Sequence, residues 1–221
     1  MKIVVSVPDP DAIDEAEHSG ADLIEIRRDL MEGNPAEWLR EIRDRTRTPW
    51  IATIRTNAEG GRFSGTPEEW RAQIDPLLSL ADMIDIEYPY REYAPEFRAT
   101  GKTIIASYHT QEMPSPDEMA AIERRLRSYG NIPKIVVQPR TEKDVISLLS
   151  FTLGAAGPVV VSITGGRFRY ARALLPLFGS AMVFCHAGSP TAEGQYHIRE
   201  LRQLMALLAG NENPRTPADH F

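Results

Sequence analysis

A lysine at the head of a β-branched run offers the most direct route from this sequence to chemistry. In Ile132-Pro133-Lys134-Ile135-Val136-Val137 every residue after Lys134 is apolar, a pattern that predicts a short buried strand. Burial disfavours the charged ammonium and lowers its pKa. A neutral lysine amine attacks a substrate carbonyl and forms a Schiff base. Alone, the same residue reads more readily as a strand-start lysine whose stem packs while its head reaches solvent. Other groups change that weighting. His109, closing Ala106-Ser107-Tyr108-His109, has a reference pKa of about 6.5 and suits proton abstraction and return. Glu59 is placed to hold one imidazole nitrogen, fixing the tautomer so that the other faces a substrate. Arg27 and Arg55 are expected near the lysine, where like charge favours its neutral form. A guanidinium also binds a carboxylate through a two-toothed fork, so the expected substrate is a small anion.

These residues fall at the ends of regularly spaced strands. Short β-branched runs occur over 3–7, 22–26, 50–54, 83–87, 103–107, 134–137, 159–163 and 181–184. Segments of helical period or composition lie between and after them, over 10–18, 35–45, 66–80, 94–100, 115–129, 141–155, 168–177 and 195–208. Thr66-Pro67-Glu68-Glu69 and Ser115-Pro116-Asp117-Glu118 place proline at the first helical position with acids in the first turn. Thr141-Glu142-Lys143-Asp144 resembles a capping box. Strand–helix units repeating every ~27 residues are the arithmetic of a (β/α)8 barrel, in which catalytic groups come from the C-terminal ends of the strands. An open doubly wound sheet is the alternative, but Ser6-Val7-Pro8-Asp9-Pro10 after the first strand lacks the glycine-rich fingerprint. Glu25 and Arg27 share one face of their strand, as do Asp85 and Glu87. Ser162-Ile163-Thr164 closes strand seven before Gly165-Gly166. Charged or titratable groups therefore gather at one end of five successive strands, which reads as an active site because buried charge must be paired or used.

Composition narrows the class. The chain has 221 residues, 42% hydrophobic and 25% charged, with a net charge of −6. That length suits a single domain over 1–210 followed by a polar, frayed tail over 211–221. The acidic balance argues against a general nucleic-acid binder. There is no signal-peptide core and no apolar run near ~18 residues, so a soluble cytoplasmic protein with no membrane partner is expected. The single cysteine, Cys185, excludes an internal disulfide framework and multi-cysteine metal sites. Its neighbours Val183 and Phe184 mark it as a packed core residue.

The motifs in their order along the chain resemble the type I 3-dehydroquinate dehydratase family. They are Asp22-Leu23-Ile24-Glu25-Ile26-Arg27, Thr53-Ile54-Arg55 through Glu59-Gly60-Gly61, Asp85-Ile86-Glu87, Ser107-Tyr108-His109 and Ile132-Pro133-Lys134. Arg172 ahead of Phe178-Gly179-Ser180 and the loop Thr191-Ala192-Glu193-Gly194-Gln195 continue them. The resemblance implies that Lys134 forms an imine with the substrate ketone. It implies that His109 removes and returns protons and that Glu59 supports it. Arg172 stands at the family's carboxylate position, although Arg167 and Arg169 occupy the same loop. Glu25, Arg27, Arg55, Thr191 and Gln195 match positions that hold the substrate or shape its pocket. The reaction implied is syn elimination of water from 3-dehydroquinate, giving 3-dehydroshikimate, in a monofunctional enzyme needing neither metal nor organic cofactor. A homodimer is also implied. Glu193 departs from the proline usual in the last loop, which predicts a looser loop.

Three rivals are weighed against this. One is another Schiff-base-forming barrel enzyme such as a class I aldolase, with Gly165-Gly166 as a phosphate loop. Another is a metal-dependent barrel lyase using Asp85, Glu87 and His109 as ligands. The third is a non-catalytic binding protein on a barrel scaffold.

Overall fold

A computed structural model describes residues 1–33 and 35–209; the tail expected over 211–221 lies outside the described residues. The strands are β1 (Lys2–Val7), β2 (Leu23–Arg27), β3 (Trp50–Thr53), β4 (Met83–Glu87), β5 (Thr103–His109), β6 (Ile132–Val137), β7 (Val160–Ile163) and β8 (Met182–Cys185). The helices are α1 (Ala12–His18), α2 (Ala36–Arg45), α3 (Pro67–Leu78), α4 (Ala94–Ala99), α5 (Pro116–Arg127), α6 (Glu142–Leu153), α7 (Ala171–Leu174) and α8 (Ile198–Ala209). The strands pair in parallel in the order β7-β6-β5-β4-β3-β2-β1-β8. A single parallel bridge, Val159 to Ser180, brings the two ends together. The result is a nearly closed single-domain (β/α)8 barrel.

Alternation along each strand divides the apolar residues between two cores. Val5, Ile24, Ile26, Trp50, Ile84, Ile104 and Ile135 face outwards and pack with the helices. Val4, Leu23, Ile51, Ile105, Val160, Met182 and Phe184 form a separate cluster. Those residues have the parity that points into the barrel, and they plug its lower half. The next inward positions, nearer the strands' C-terminal ends, are Ser6, Glu25, Thr53, Asp85, Ser107 and Lys134. All of them are buried. One period-two pattern thus sets an apolar floor beneath a polar chamber.

The three helix starts form as their sequences require. Thr66, Ser115 and Thr141 each accept the N3 amide through the side chain, and Glu69, Glu118 and Asp144 return the bond to the cap amide. The helix expected over 168–177 is shorter. The α-helix ends at Leu174 and a 3-10 turn continues over Leu175–Phe178, because Pro176 has no amide hydrogen for the helical ladder. The last helix starts at Ile198 rather than Gln195, which leaves the Gln195 side chain free for the preceding loop. Cys185 is fully buried, its Sγ 3.4 Å from the Val4 carbonyl. Burial pushes its thiol up to about 12, so it is the packed residue expected.

Candidate active site

Lys134 is 4% exposed. Its Nζ lies 3.0 Å from Asp85 Oδ2 and 3.3 Å from Glu25 Oε1, above the face of Phe184 at 4.0 Å from the ring centroid. The sequence led us to expect Arg27 and Arg55 beside the amine; acids are its nearest polar neighbours instead. The lysine's own strand gives no sight of β2 and β4 across the lumen, which supply those acids. Burial would raise the pKa of both carboxyls, but cations outweigh it. Lys134 and then Arg27 hold Glu25 below its ordinary value, while Arg55 and then Lys134 hold Asp85 well below. Hydroxyls complete the carboxylates' shells: Ser6 donates to Glu25 at 2.5 Å, Thr53 to Glu25 at 3.0 Å, and Ser107 to Asp85 at 2.5 Å.

Arg55 ties three acids together. Its Nη2 donates to Asp85 at 2.8 Å, and its Nη1 to Glu87 at 2.9 Å and Glu59 at 3.3 Å. Burial opposes its charge, yet Asp85, Glu87 and Glu59 together raise its pKa above the ordinary value. This guanidinium stands between the acids that a metal-dependent reading would use as ligands. Among the described residues no cluster of three His, Cys, Asp or Glu side chains is arranged to hold a metal ion.

The loop after β3 delivers Glu59 to His109. Thr56 and Phe63 form a bridge, with the Asn57 amide donating to the Phe63 carbonyl and the Phe63 amide to the Arg55 carbonyl. Gly60 turns with φ +86°, and a Cβ on Gly61 would stand 2.1 Å from the Arg55 carbonyl oxygen. Only this glycine pair lets the chain fold so tightly over Arg55. Glu59 Oε2 then accepts the His109 backbone amide at 3.1 Å and lies 2.8 Å from Nδ1. An oxygen that accepts from that amide and from Arg55 is an acceptor for Nδ1–H as well, which leaves Nε2 with a free lone pair. Burial, with Glu87 and Asp85 against the counteracting Arg55, pushes the Glu59 carboxyl up to about 8. Burial, then Arg55 and Lys134, drives the His109 pKa well below its ordinary value. The imidazole is therefore a neutral base at neutral pH.

Arginines and the last loop form the opposite wall. Arg27 is clamped by Asp29 in a fork, Nε to Oδ1 at 2.9 Å and Nη2 to Oδ2 at 2.7 Å. Arg172 is 4% exposed and has no acidic partner among the described residues. Its Nη2 donates to the Glu193 carbonyl at 3.0 Å, and its buried Nε has no partner. Burial, then Arg169, lowers its pKa to about 10, the condition of a cation short of an anion. Arg169 is spent on Glu200 at 2.8 Å and on the face of Tyr196, and Arg167 lies over Phe168. Gln195 Oε1 accepts the amides of Thr191 and Ala192 at 2.8 and 3.3 Å, folding the loop around its side chain. Gly194 has φ +77°, and a Cβ there would lie 2.5 Å from the Gly165 carbonyl. The Glu193 side chain stands against Gly166, at the outer opening of the cleft that Glu59, His109 and Thr191 also border.

Glu25, Arg27, Arg55, Glu59, His109, Lys134, Arg172, Thr191 and Gln195 all line one cleft of about 630 Å³, so the nine residues expected to act on or bind the substrate converge there, while Asp85 and Glu87 stand behind them on Lys134 and Arg55. Asp29, Phe184 and Ser162 had no assigned part. Asp29 follows Arg27 by two residues, a spacing whose meaning depends on the turn after β2. Phe184 looked like plain core, and only closure of the barrel brings β8 beside β6's lysine.

The fold and this cleft define a barrel enzyme built around a buried lysine, a histidine held by a carboxylate and an arginine without an acidic partner among the described residues. A family model described as type I 3-dehydroquinase matches residues 8–212. The 3-dehydroquinate dehydratases of Methanoregula boonei and Methanospirillum hungatei are 48% and 39% identical to the chain. Each alignment spans 209 residues and 95% of this chain, with 100% and 82% of the respective relatives covered. The chain belongs to the type I 3-dehydroquinase family and is a lyase of the hydro-lyase class. A crystal structure of the type I 3-dehydroquinate dehydratase from Clostridium difficile with covalently modified comenic acid is similar throughout. Its TM-score is 0.81 at 27% identity, covering 94% of this chain and 91% of that one.

Proposed function

We propose that Lys134 carries the reaction of this family, loss of water from 3-dehydroquinate, through a Schiff base. The observation that carries this reading is the lysine amine in contact with Asp85 and Glu25, in one cleft with His109 held by Glu59. In its free-base form the amine adds to the ketone carbon through its lone pair. The resulting carbinolamine expels water as the C=N bond forms. The iminium makes the adjacent C2 proton acidic. His109 Nε2 accepts that proton, and the C–H electron pair becomes the C2=C3 bond of an enamine. The enamine pushes out the C1 hydroxyl, which leaves as water with the proton held by His109, and a C1=C2 double bond remains. Water then hydrolyses the imine and frees Lys134. One base serving both proton transfers from one side accounts for syn elimination.

Arg172 binds the substrate carboxylate, because it is the buried guanidinium of this cleft that lacks an acidic partner. Arg27, aimed by Asp29, together with Glu25, Thr191 and Gln195, holds the ring oxygens. Arg55 keeps Asp85 and Glu59 in place. No organic cofactor enters this sequence, since the iminium is the electron sink. We take the enzyme to act in the cytoplasm as a homodimer, on the strength of the family resemblance. No described helix is long and apolar enough to cross a membrane, and Ile146 and Leu153 leave apolar surface open on one face of α6.

His109→Ala tests the assignment. Turnover, followed through the ultraviolet absorbance of the conjugated product, should fall by about 10²–10⁴-fold, the usual worth of a positioned base. The imine at Lys134 should still form. Undiminished turnover would remove His109 from the mechanism.

A further inference from the structure

The hydroxyls that line the chamber around Lys134 have unequal partners. Ser6, Thr53 and Ser107 all donate to Glu25 or Asp85. Ser162, on β7, is 8% exposed and lines the cleft, yet it has no hydrogen-bond partner among the described residues. Its parity matches Val160 of the inner cluster, while Val161 between them packs outwards, so the Ser162 side chain points into the barrel. Thr164, two residues on, also has an unpartnered hydroxyl, but that oxygen is shut away from solvent.

Strand register fixes where Ser162 stands relative to the chemistry. His109 faces Val136, and Val136 faces Ser162. In the layer beneath, Ser107 faces Lys134, and Lys134 faces Val160. His109 and Ser162 therefore flank the strand that carries Lys134, one on each side and one inward step above it. With strands ~4.8 Å apart, β5 and β7 stand about 10 Å from each other, room for a substituted six-membered ring. The ring carbon joined to Nζ has two neighbours. One carries the proton that goes to His109; the other, in 3-dehydroquinate, carries a hydroxyl.

We propose that Ser162 is a specificity-determining substrate contact, its Oγ hydrogen-bonding the ring hydroxyl adjacent to the ketone on the side away from His109. The assignment rests on the dehydration reading above and adds a residue to it. It gives the partnerless hydroxyl an oxygen to bond and makes the cleft selective for a ring hydroxylated at that carbon.

The test compares full-length wild type and Ser162→Ala on 3-dehydroquinate and on its analogue lacking that one hydroxyl. Ser162→Ala should lose about tenfold in kcat/KM on 3-dehydroquinate, the worth of one neutral hydrogen bond. On the deoxy analogue the two enzymes should agree within about twofold by the same argument. The melting temperature should not fall, since Oγ has no protein partner to lose. Equal losses on both substrates, or no loss on either, would overturn the contact while leaving an active wild type and its lysine chemistry in place. A wild type that does not turn over 3-dehydroquinate would overturn the dehydration reading and this contact with it.

Discussion

The chemistry of this cleft turns on which buried groups are charged. His109 sits against Glu59 but also near Arg55 and Lys134, and burial with those cations keeps its proton affinity low. A base must be unprotonated to act, and a lowered pKa keeps it so down to more acidic pH. The acid limb of the pH profile of kcat/KM should therefore lie below the ordinary histidine value of about 6.5, with a plateau through neutrality. A limb at or above that value would mean that Glu59 wins over the cations and His109 is the imidazolium at rest. Lys134, His109 and Glu59 were legible in the sequence because the first heads a β-branched run, the second closes a strand and the third lies in the loop that follows one. The partners of Lys134 were not. Asp85 and Glu25 stood out as strand-borne acids, but only barrel closure brings two distant strands to the same amine.

At the scale of single elements, the loop between β3 and α3 carries the most position-sensitive backbone. Gly61 passes so close to Arg55 that any side chain meets its carbonyl. Gly61→Ala should displace Glu59 from His109 and lower kcat at least tenfold by mispositioning the base, while the Schiff base still forms. Steady-state kinetics with a thermal melt would check this; unchanged kcat would show that the loop is not what positions Glu59. Helix starts were legible because the capping signals at Thr66, Ser115 and Thr141 are local. The helix expected over 168–177 ends early because Pro176 lacks the amide hydrogen that would continue its ladder. The last loop defied reading for another reason. Its shape depends on the Gln195 side chain folding back on Thr191 and on Gly194 passing the Gly165 carbonyl, neither of which leaves a periodic trace. Glu193 was expected to loosen that loop; its backbone carbonyl receives Arg172, a bond that any residue at this position can accept.

The whole molecule is a barrel whose weakest join lies between its last strands. β7 and β8 meet through one bridge. Ser180 reinforces it, accepting the Val161 amide at 3.1 Å with its buried Oγ. Ser180→Ala would strand that amide at a cost of about 1–3 kcal/mol, and the melting temperature should drop by several degrees, given ~2–4 °C per kcal/mol at this size. An unchanged melt would mean that the Ser180 hydroxyl does not reinforce the seam, which the backbone bridge and packing then hold without it. The barrel was legible in the eightfold strand–helix spacing, whereas this seam depends on a side chain that sequence periodicity does not mark. The central claim, that the barrel holds its substrate covalently on one lysine, is tested most directly by borohydride reduction of the protein mixed with 3-dehydroquinate, followed by intact mass and peptide mapping. The account predicts a stable adduct on the peptide containing Lys134, in wild type and in His109→Ala alike. An active enzyme that yields no adduct, or one modified at another residue, would contradict it.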